Sequence, residues 1–269
     1  MLKKFLKLIN NLPFKFTIAH VETFGSQTRV LKEGKLDSPE SWDLLRRDHP
    51  HFSISSNRKE WLEICNLKTK KDGQDGGLIR RAKDIVALLK ESYVTSLFSV
   101  GAGGAGLEYH VKNMFPQLYL VCSEYAADNV DLLKKVFLEA DEVVSFDMKA
   151  IDWKQALRQR EVGEHLVLMY RIDPHATDKE WRKIFERMHG EDVKNILFIP
   201  CGFLTLHSLI KRKWRILKLS LQGESFVFSG YLRTRMTYES YWDGLYRAKL
   251  HKFGGLDGYY LQHKDIPVR

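Results

Sequence analysis

Four glycines crowd into the segment LFSVGAGGAGLEYHV, at Gly101, Gly103, Gly104 and Gly106. Glycine lets a backbone turn sharply and lets a ligand approach the main chain, and a helix starting just after such a turn offers unpaired N–H groups. In an open parallel sheet, ligands bind outside the carboxyl ends of the strands, where such a turn sits. About twenty residues further on, the next apolar run ends in Cys122-Ser123-Glu124, and a carboxylate at that tip can accept both hydroxyls of a ribose. The following run ends in Phe146-Asp147-Met148, which sets an acid for an exocyclic amine beside an apolar thioether for a ring face. Any one of these is ordinary: a bare glycine turn, or a solvated acid at a strand end. In this order at successive strand ends, the three point to a nucleoside-type ligand.

The elements that must position these groups follow from hydrophobic spacing. Strand-like runs at 94–100, 118–122, 142–146, 166–170 and 196–200 alternate with helical patterns at 107–114, 129–139, 153–160 and 179–189. Short, largely apolar runs between amphipathic helices indicate a parallel sheet covered on both faces, an α/β doubly wound fold. Beyond Cys201 the pattern loosens into a basic helical segment running through Leu219, a strand-like run at 225–232, a helix at 238–250 and a strand at 259–263. Before the sheet, 78–92 reads as a helix, preceded by short amphipathic stretches at 41–47 and 59–67 and by the linker-like KTKKDGQDGG. This divides the chain into a mainly helical extension, 1–77, packed as a lid over the open side of the sheet, and a Rossmann-like domain, 78–269.

The chain of 269 residues is 44% hydrophobic, enough for a sizeable core in one large domain with an appendage. Its net charge of +9 would favour anionic partners but names none. Three widely spaced cysteines, with no CxxC pair or His/Cys cluster, suggest neither a disulfide framework nor a zinc site, so no metal is expected and a reducing cytoplasm is the default. No run approaches the roughly 20 apolar residues of a membrane span. The start, MLKKFLKLINNLPF, lacks a signal cleavage site. With Leu2, Phe5, Leu6 and Ile9 opposite Lys3, Lys4 and Lys7, it either docks as a helix on the domain or makes a weak contact with an anionic membrane.

The turn satisfies two patterns. Gly101-x-Gly103-x-x-Gly106 is the dinucleotide fingerprint, and VGAGGAG resembles the glycine motif of class I S-adenosylmethionine-dependent methyltransferases. About ninety residues precede the fingerprint strand, whereas a nicotinamide-dependent fold usually begins at it. The stretch HLVLMYRIDPHATDKEWRKIFERM then resembles the fourth-strand motif of those methyltransferases, with Leu166–Met169 as the strand, His175 in the loop and Asp178 opening the helix. The strand NILFIP matches what normally follows, and GYLRTRMTYESYWDGL is similar to the loop and helix that border their substrate pocket. The resemblance runs from about Leu89 to Gly202. It departs at Ser99, where the family commonly has an acid two residues before the first glycine, and at His165, where the fourth strand often starts with aspartate.

The resemblance implies a seven-stranded, mostly parallel Rossmann-like sheet and S-adenosylmethionine as cofactor, held by Val100, Gly101, Ala102, Gly103, Gly106, Glu124, Tyr125, Asp147, Met148 and Tyr170. It implies transfer of a methyl to a small-molecule or glycan-type acceptor, most simply on oxygen. His175 and Tyr170 are the candidates for catalysis, His175 because an imidazole titrates near neutral pH, although packing or capping of the next helix explains it equally well. Arg171, Asp173, Arg233 and Tyr238 are the candidates for gripping the acceptor. The rival readings are methylation of RNA, which the basic charge would suit, a nicotinamide-dependent oxidoreductase on the same turn, and a non-catalytic member of the fold.

Overall fold

A computed structural model describes residues 12–22, 54–71, 77–149, 152–158, 165–222 and 227–265. Seven strands form one sheet: β2 (Ser96–Val100), β3 (Tyr119–Glu124), β4 (Glu142–Ser145), β5 (His165–Tyr170), β6 (Asn195–Ile199), β8 (Tyr246–Phe253) and β9 (Leu256–His263). Their spatial order is β4-β3-β2-β5-β6-β9-β8. The first five are mutually parallel and β9 runs antiparallel between β6 and β8. The order reverses at β2, so β3 and β5 diverge on its two sides and leave a crevice at their carboxyl ends.

Successive strand residues feed opposite faces, as the pleat requires. Leu97, Leu120, Leu166, Leu168 and Leu197 join one core cluster, whereas Phe98, Val121, Val167, Met169, Ile196 and Phe198 join the other. The first face is covered by α1 (Arg58–Lys71), α2 (Gly77–Glu91), α3 (Gly106–Met114) and α4 (Ala127–Val136). The second lies under α5 (Trp153–Arg158), α6 (Asp178–Gly190) and α8 (Arg235–Trp242). Helix α7 (Leu206–Leu221) follows β6. Helix α6 starts on a capping box: the Glu180 amide donates to Thr177 Oγ1 at 3.2 Å while the Thr177 amide donates to Glu180 Oε2 at 2.7 Å, so two helix-end donors are satisfied at once.

Within residues 1–77 the described parts are a strand and a helix. Strand β1 (Thr17–Glu22) pairs antiparallel with β7 (Val227–Arg233) as a two-stranded ribbon, so the 225–232 run finds its partner near the other end of the chain. Helix α1 buries Trp61 and Cys65 in the main core. The amphipathic stretch at 41–47, the apolar face of 1–11 and residues 72–76 of the linker lie outside the described residues. The helix expected over 238–250 is a correction: α8 ends at Trp242, Gly244 takes a left-handed φ of 84°, and β8 begins at Tyr246. The spacing of Tyr238, Tyr241 and Trp242 is helical, but the chain then folds into a hairpin closed at Gly254 and Gly255, with φ of 53° and 89°.

Candidate functional site

The glycine turn leaves β2 with left-handed backbones at Gly101 (φ 65°) and Gly103 (φ 58°), which a side chain would strain. Neighbouring strands tie it down: the Ala102 amide donates to Ser123 O at 2.9 Å, and Ser123 Oγ donates to Ser99 O at 2.9 Å. From α1, Trp61 Nε1 donates to Gly104 O at 2.9 Å, so the N-terminal part of the chain helps to fix the turn. Gly106 opens α3 at close range to the core, where an added Cβ would lie 3.4 Å from Leu78 and 3.7 Å from Cys65 Sγ. Above Gly103 nothing lies within 4 Å of an added Cβ, and that side of the turn opens into a cleft.

The cleft has a volume of about 250 Å³ and sits at the carboxyl ends of the parallel strands. Val100, Gly101 and Gly103 line it from β2 and its turn, Glu124, Tyr125 and Ala126 from β3, and Phe146, Asp147, Met148 and Lys149 from β4. Tyr170, Arg171, Ile172 and His175 close the β5 side. Glu124 is buried against the turn rather than facing solvent: Gly103 N donates to Oε1 and Asn129 Nδ2 donates to Oε2 at 3.3 Å. The buried Oδ1 of Asn129 has no partner, which leaves acceptor capacity beside the carboxylate. At the β4 tip, Lys149 N donates to Asp147 Oδ1 at 2.8 Å, and Lys149 Nζ pairs with Glu180 at 2.9 Å.

On the β5 side, Arg81 Nη1 of α2 donates to the Tyr170 hydroxyl at 3.0 Å. Arg171 is exposed and holds a left-handed φ of 58°, a conformation that costs a non-glycine residue about 1–2 kcal/mol. Burial, reinforced by the Lys149 charge, pushes the His175 imidazole down to about 4. It therefore faces the cleft neutral, and as a weaker base than a solvated histidine.

Three of the candidates for the acceptor site belong to a different structure. Asp173, Arg233 and Tyr238 are sealed from solvent and bind one another. Tyr238 donates its hydroxyl to Asp173 Oδ2, and Cys201 N donates to Asp173 Oδ1 at 2.7 Å. Arg233 donates from Nη1 to Asp173 O and from Nε to Asp178 Oδ1, each at 2.7 Å, and from Nη2 to Ala176 O. Thr17 and Tyr241 also donate to Asp178. Burial alone would raise the Asp178 carboxyl, but these donors hold it below its ordinary value. The network clamps the 3-10 turn Asp173–His175 between β7, α6 and α8, and so supports His175 from behind. Ala102 and Gly106 shape the turn without lining the cleft.

One group escaped the sequence reading. Glu108, fully buried on α3, accepts from Ser99 Oγ at 2.6 Å. Its helical spacing to Val111, also buried, was the available sign that it points inward. Burial raises its carboxyl to about 7 against the lowering effect of the Ser99 bond, and the Glu124 charge adds to the rise.

No protein-family model and no curated protein matches the sequence. Among solved structures, DesVI of Streptomyces venezuelae is similar at a TM-score of 0.50 and 12% identity, over 77% of this chain and 98% of that one. Human N-acetylserotonin methyltransferase in complex with S-adenosylmethionine is similar at a TM-score of 0.50 and 14% identity, over 98% of this chain and 81% of that one. With the strand order and the glycine turn already described, these likenesses show that the chain has the Rossmann-like fold of the class I methyltransferases.

Proposed function

We propose that the chain is a methyltransferase that uses S-adenosylmethionine and methylates a small-molecule acceptor, glycan-type acceptors included, on oxygen. The observation that carries this reading is the placement of Glu124 against Gly103, with Asp147 and Met148 at the adjoining strand tip, in one cleft. The open space over Gly103, beside Glu124 on the cleft wall, suits a ribose. The similarity in fold to the human enzyme that binds the same cofactor supports the reading.

When bound, the cofactor supplies a methyl on a positively charged sulfur, which leaves as a neutral thioether. Glu124 would accept the ribose hydroxyls, exchanging its contact with Gly103 for them. Asp147 would take the exocyclic amine of the base, while Met148 and Phe146 cover the ring. Tyr170 and Arg171, at the end of β5, would face the acceptor, with Tyr170 held by Arg81. His175 presents a neutral imidazole that suits accepting a hydrogen bond from the acceptor hydroxyl, and the proton that the hydroxyl loses on methylation would pass to water. The rate would then rest on alignment of acceptor and methyl, which is worth several kcal/mol.

Calorimetric titration of the protein with S-adenosylmethionine, S-adenosylhomocysteine, NADH and NADPH tests the cofactor. Micromolar binding of the two adenosyl compounds alone is expected. Binding of a nicotinamide nucleotide instead would overturn the proposal in favour of an oxidoreductase. With the cofactor established, methyl transfer to phenolic, sugar and RNA acceptors is compared, and transfer confined to RNA would displace the small-molecule assignment.

A further inference from the structure

Helix α7 is unlike the other helices of the fold. Of its 16 residues, LHSLIKRKWRILKLSL, no described side chain is buried. Ile210 is 51% exposed, Trp214 69%, Leu217 52% and Leu221 81%, and among the described residues no other element leaves so many large apolar side chains in water. Their spacing, i, i+4, i+7 and i+11, places them on one face. The same helix carries Lys211, Arg212, Lys213, Arg215 and Lys218 and no acid: Lys213 flanks the stripe on one side, Lys211 and Lys218 on the other, and Arg212 and Arg215 turn away from it. Among the described residues no helix is long and apolar enough to cross a membrane, so α7 would lie along a surface rather than span one.

We propose that α7 is an interfacial helix that docks the protein onto a membrane rich in anionic lipid, with the stripe Ile210, Trp214, Leu217 and Leu221 sunk at the edge of the acyl region. An apolar face with tryptophan and leucine, backed by lysine and arginine alone, is the composition that binds such a surface: the apolar side gains burial and the cations meet lipid phosphates. Charge argues against a second copy of the chain on this face. Lys213 and Lys218 flank the stripe, one on each side, and packing two stripes together would bring cations of one sign close. A nucleic acid would take the charge but not the stripe, because only one of its four residues is aromatic and offers a base a stacking surface. The inference is independent of the cleft and its cofactor.

The test uses the full-length protein and vesicles of phosphatidylcholine with and without phosphatidylglycerol. We expect sedimentation with the anionic vesicles only, a partition that falls as salt rises, and a blue shift of the Trp214 emission, isolated as the difference from Trp214→Phe. The pair Leu217→Glu with Leu221→Glu should lower the partition at least tenfold with an unchanged Tm, since both side chains already stand in water. The gentler Trp214→Ser serves the same comparison should the double variant melt early. Equal binding by these variants would overturn the proposal and move the attraction elsewhere on the basic surface. So would Trp214 being shielded from iodide in the lipid-free protein, self-association in the absence of lipid that the variants abolish, or stripe-dependent binding of RNA without binding of lipid.

Discussion

The hydroxyl of Ser99 donates to Glu108 Oε1 at 2.6 Å, with both side chains shut off from solvent beneath the glycine turn. Where methyltransferases commonly carry an acid two residues before the first glycine, this chain has a serine, and the carboxyl comes from the next helix. Because burial holds Glu108 at about 7 in the folded chain against 4.5 for the free group, the folded state keeps a proton that the unfolded state sheds. Stability contributed by the protonated form is therefore complete below pH 4.5 and lost as pH rises through 7. Glu108→Gln, which can still accept from Ser99, should be about 3 kcal/mol more stable than the parent at pH 8 and equal to it near pH 4. Urea unfolding at the two pH values reads this directly. A less stable variant at pH 8 would mean that the ionised carboxylate is held by the fold.

Glu124→Ala should weaken S-adenosylmethionine binding at least thirtyfold, read by calorimetry. It should also lower stability by about 1–3 kcal/mol, because the Gly103 amide and the Asn129 side chain lose their acceptor. An unchanged affinity would remove Glu124 from the cofactor site.

His175 sets the acid limb of the stability profile. Its folded value, about 4, lies below the free value of 6.5, so the unfolded chain takes up the proton first. The contribution is intact above pH 6.5 and disappears as pH falls through 4, amounting to roughly 3 kcal/mol. His175→Gln should flatten that limb, as seen in unfolding free energies between pH 4 and 7. Methyl transfer by the parent should show no rate step between pH 5 and 6.5 assignable to this residue, whereas a step near 6.5 that His175→Gln abolishes would make it a solvated base.

Gly230 on β7 has a φ of 123°, and a Cβ there would overlap the carbonyl of Pro174 in the turn that carries His175. Gly230→Ala should cost more than about 3 kcal/mol and lower Tm by roughly 6 °C or more. A melt within 2 °C of the parent, by differential scanning calorimetry, would show that ribbon and turn can separate freely.

Four of the five parallel strands were legible as short runs buried on both sides, and the edge strand β4, where only Val143 is buried, by its place between two helical patterns. The glycine turn and the strand-tip acids were legible for the same reason, since their place follows once the strands are known. The hairpin was not. Strand β8, YRAKLHKF, lies on the sheet edge with much of its length exposed, and its apolar residues do not alternate cleanly enough to tell strand from helix. Asp173, Arg233 and Tyr238 were misplaced because a charged or hydroxyl-bearing side chain looks the same in sequence whether it meets a ligand or another buried partner. Glu108 was overlooked on the same ground, as a charged helical residue whose inward direction only its neighbours reveal. Tyr170, Arg171 and His175 could be placed on the cleft wall because they follow directly from the end of a strand.

The ribbon of β1 and β7 joins parts of the chain that are far apart in sequence. Phe16 N donates to Thr237 Oγ1 across a separation of 221 residues, and Thr17 lies opposite Arg233. During synthesis the glycine turn and its parallel strands emerge and can begin to pair long before β7 exists. The turn bearing His175 gains its backing only when β7 meets β1, made long before it. Closing so long a loop is slow relative to local pairing. The two sides of the cleft would thus mature at different times, the glycine turn first and the His175 side only once β7 has been made.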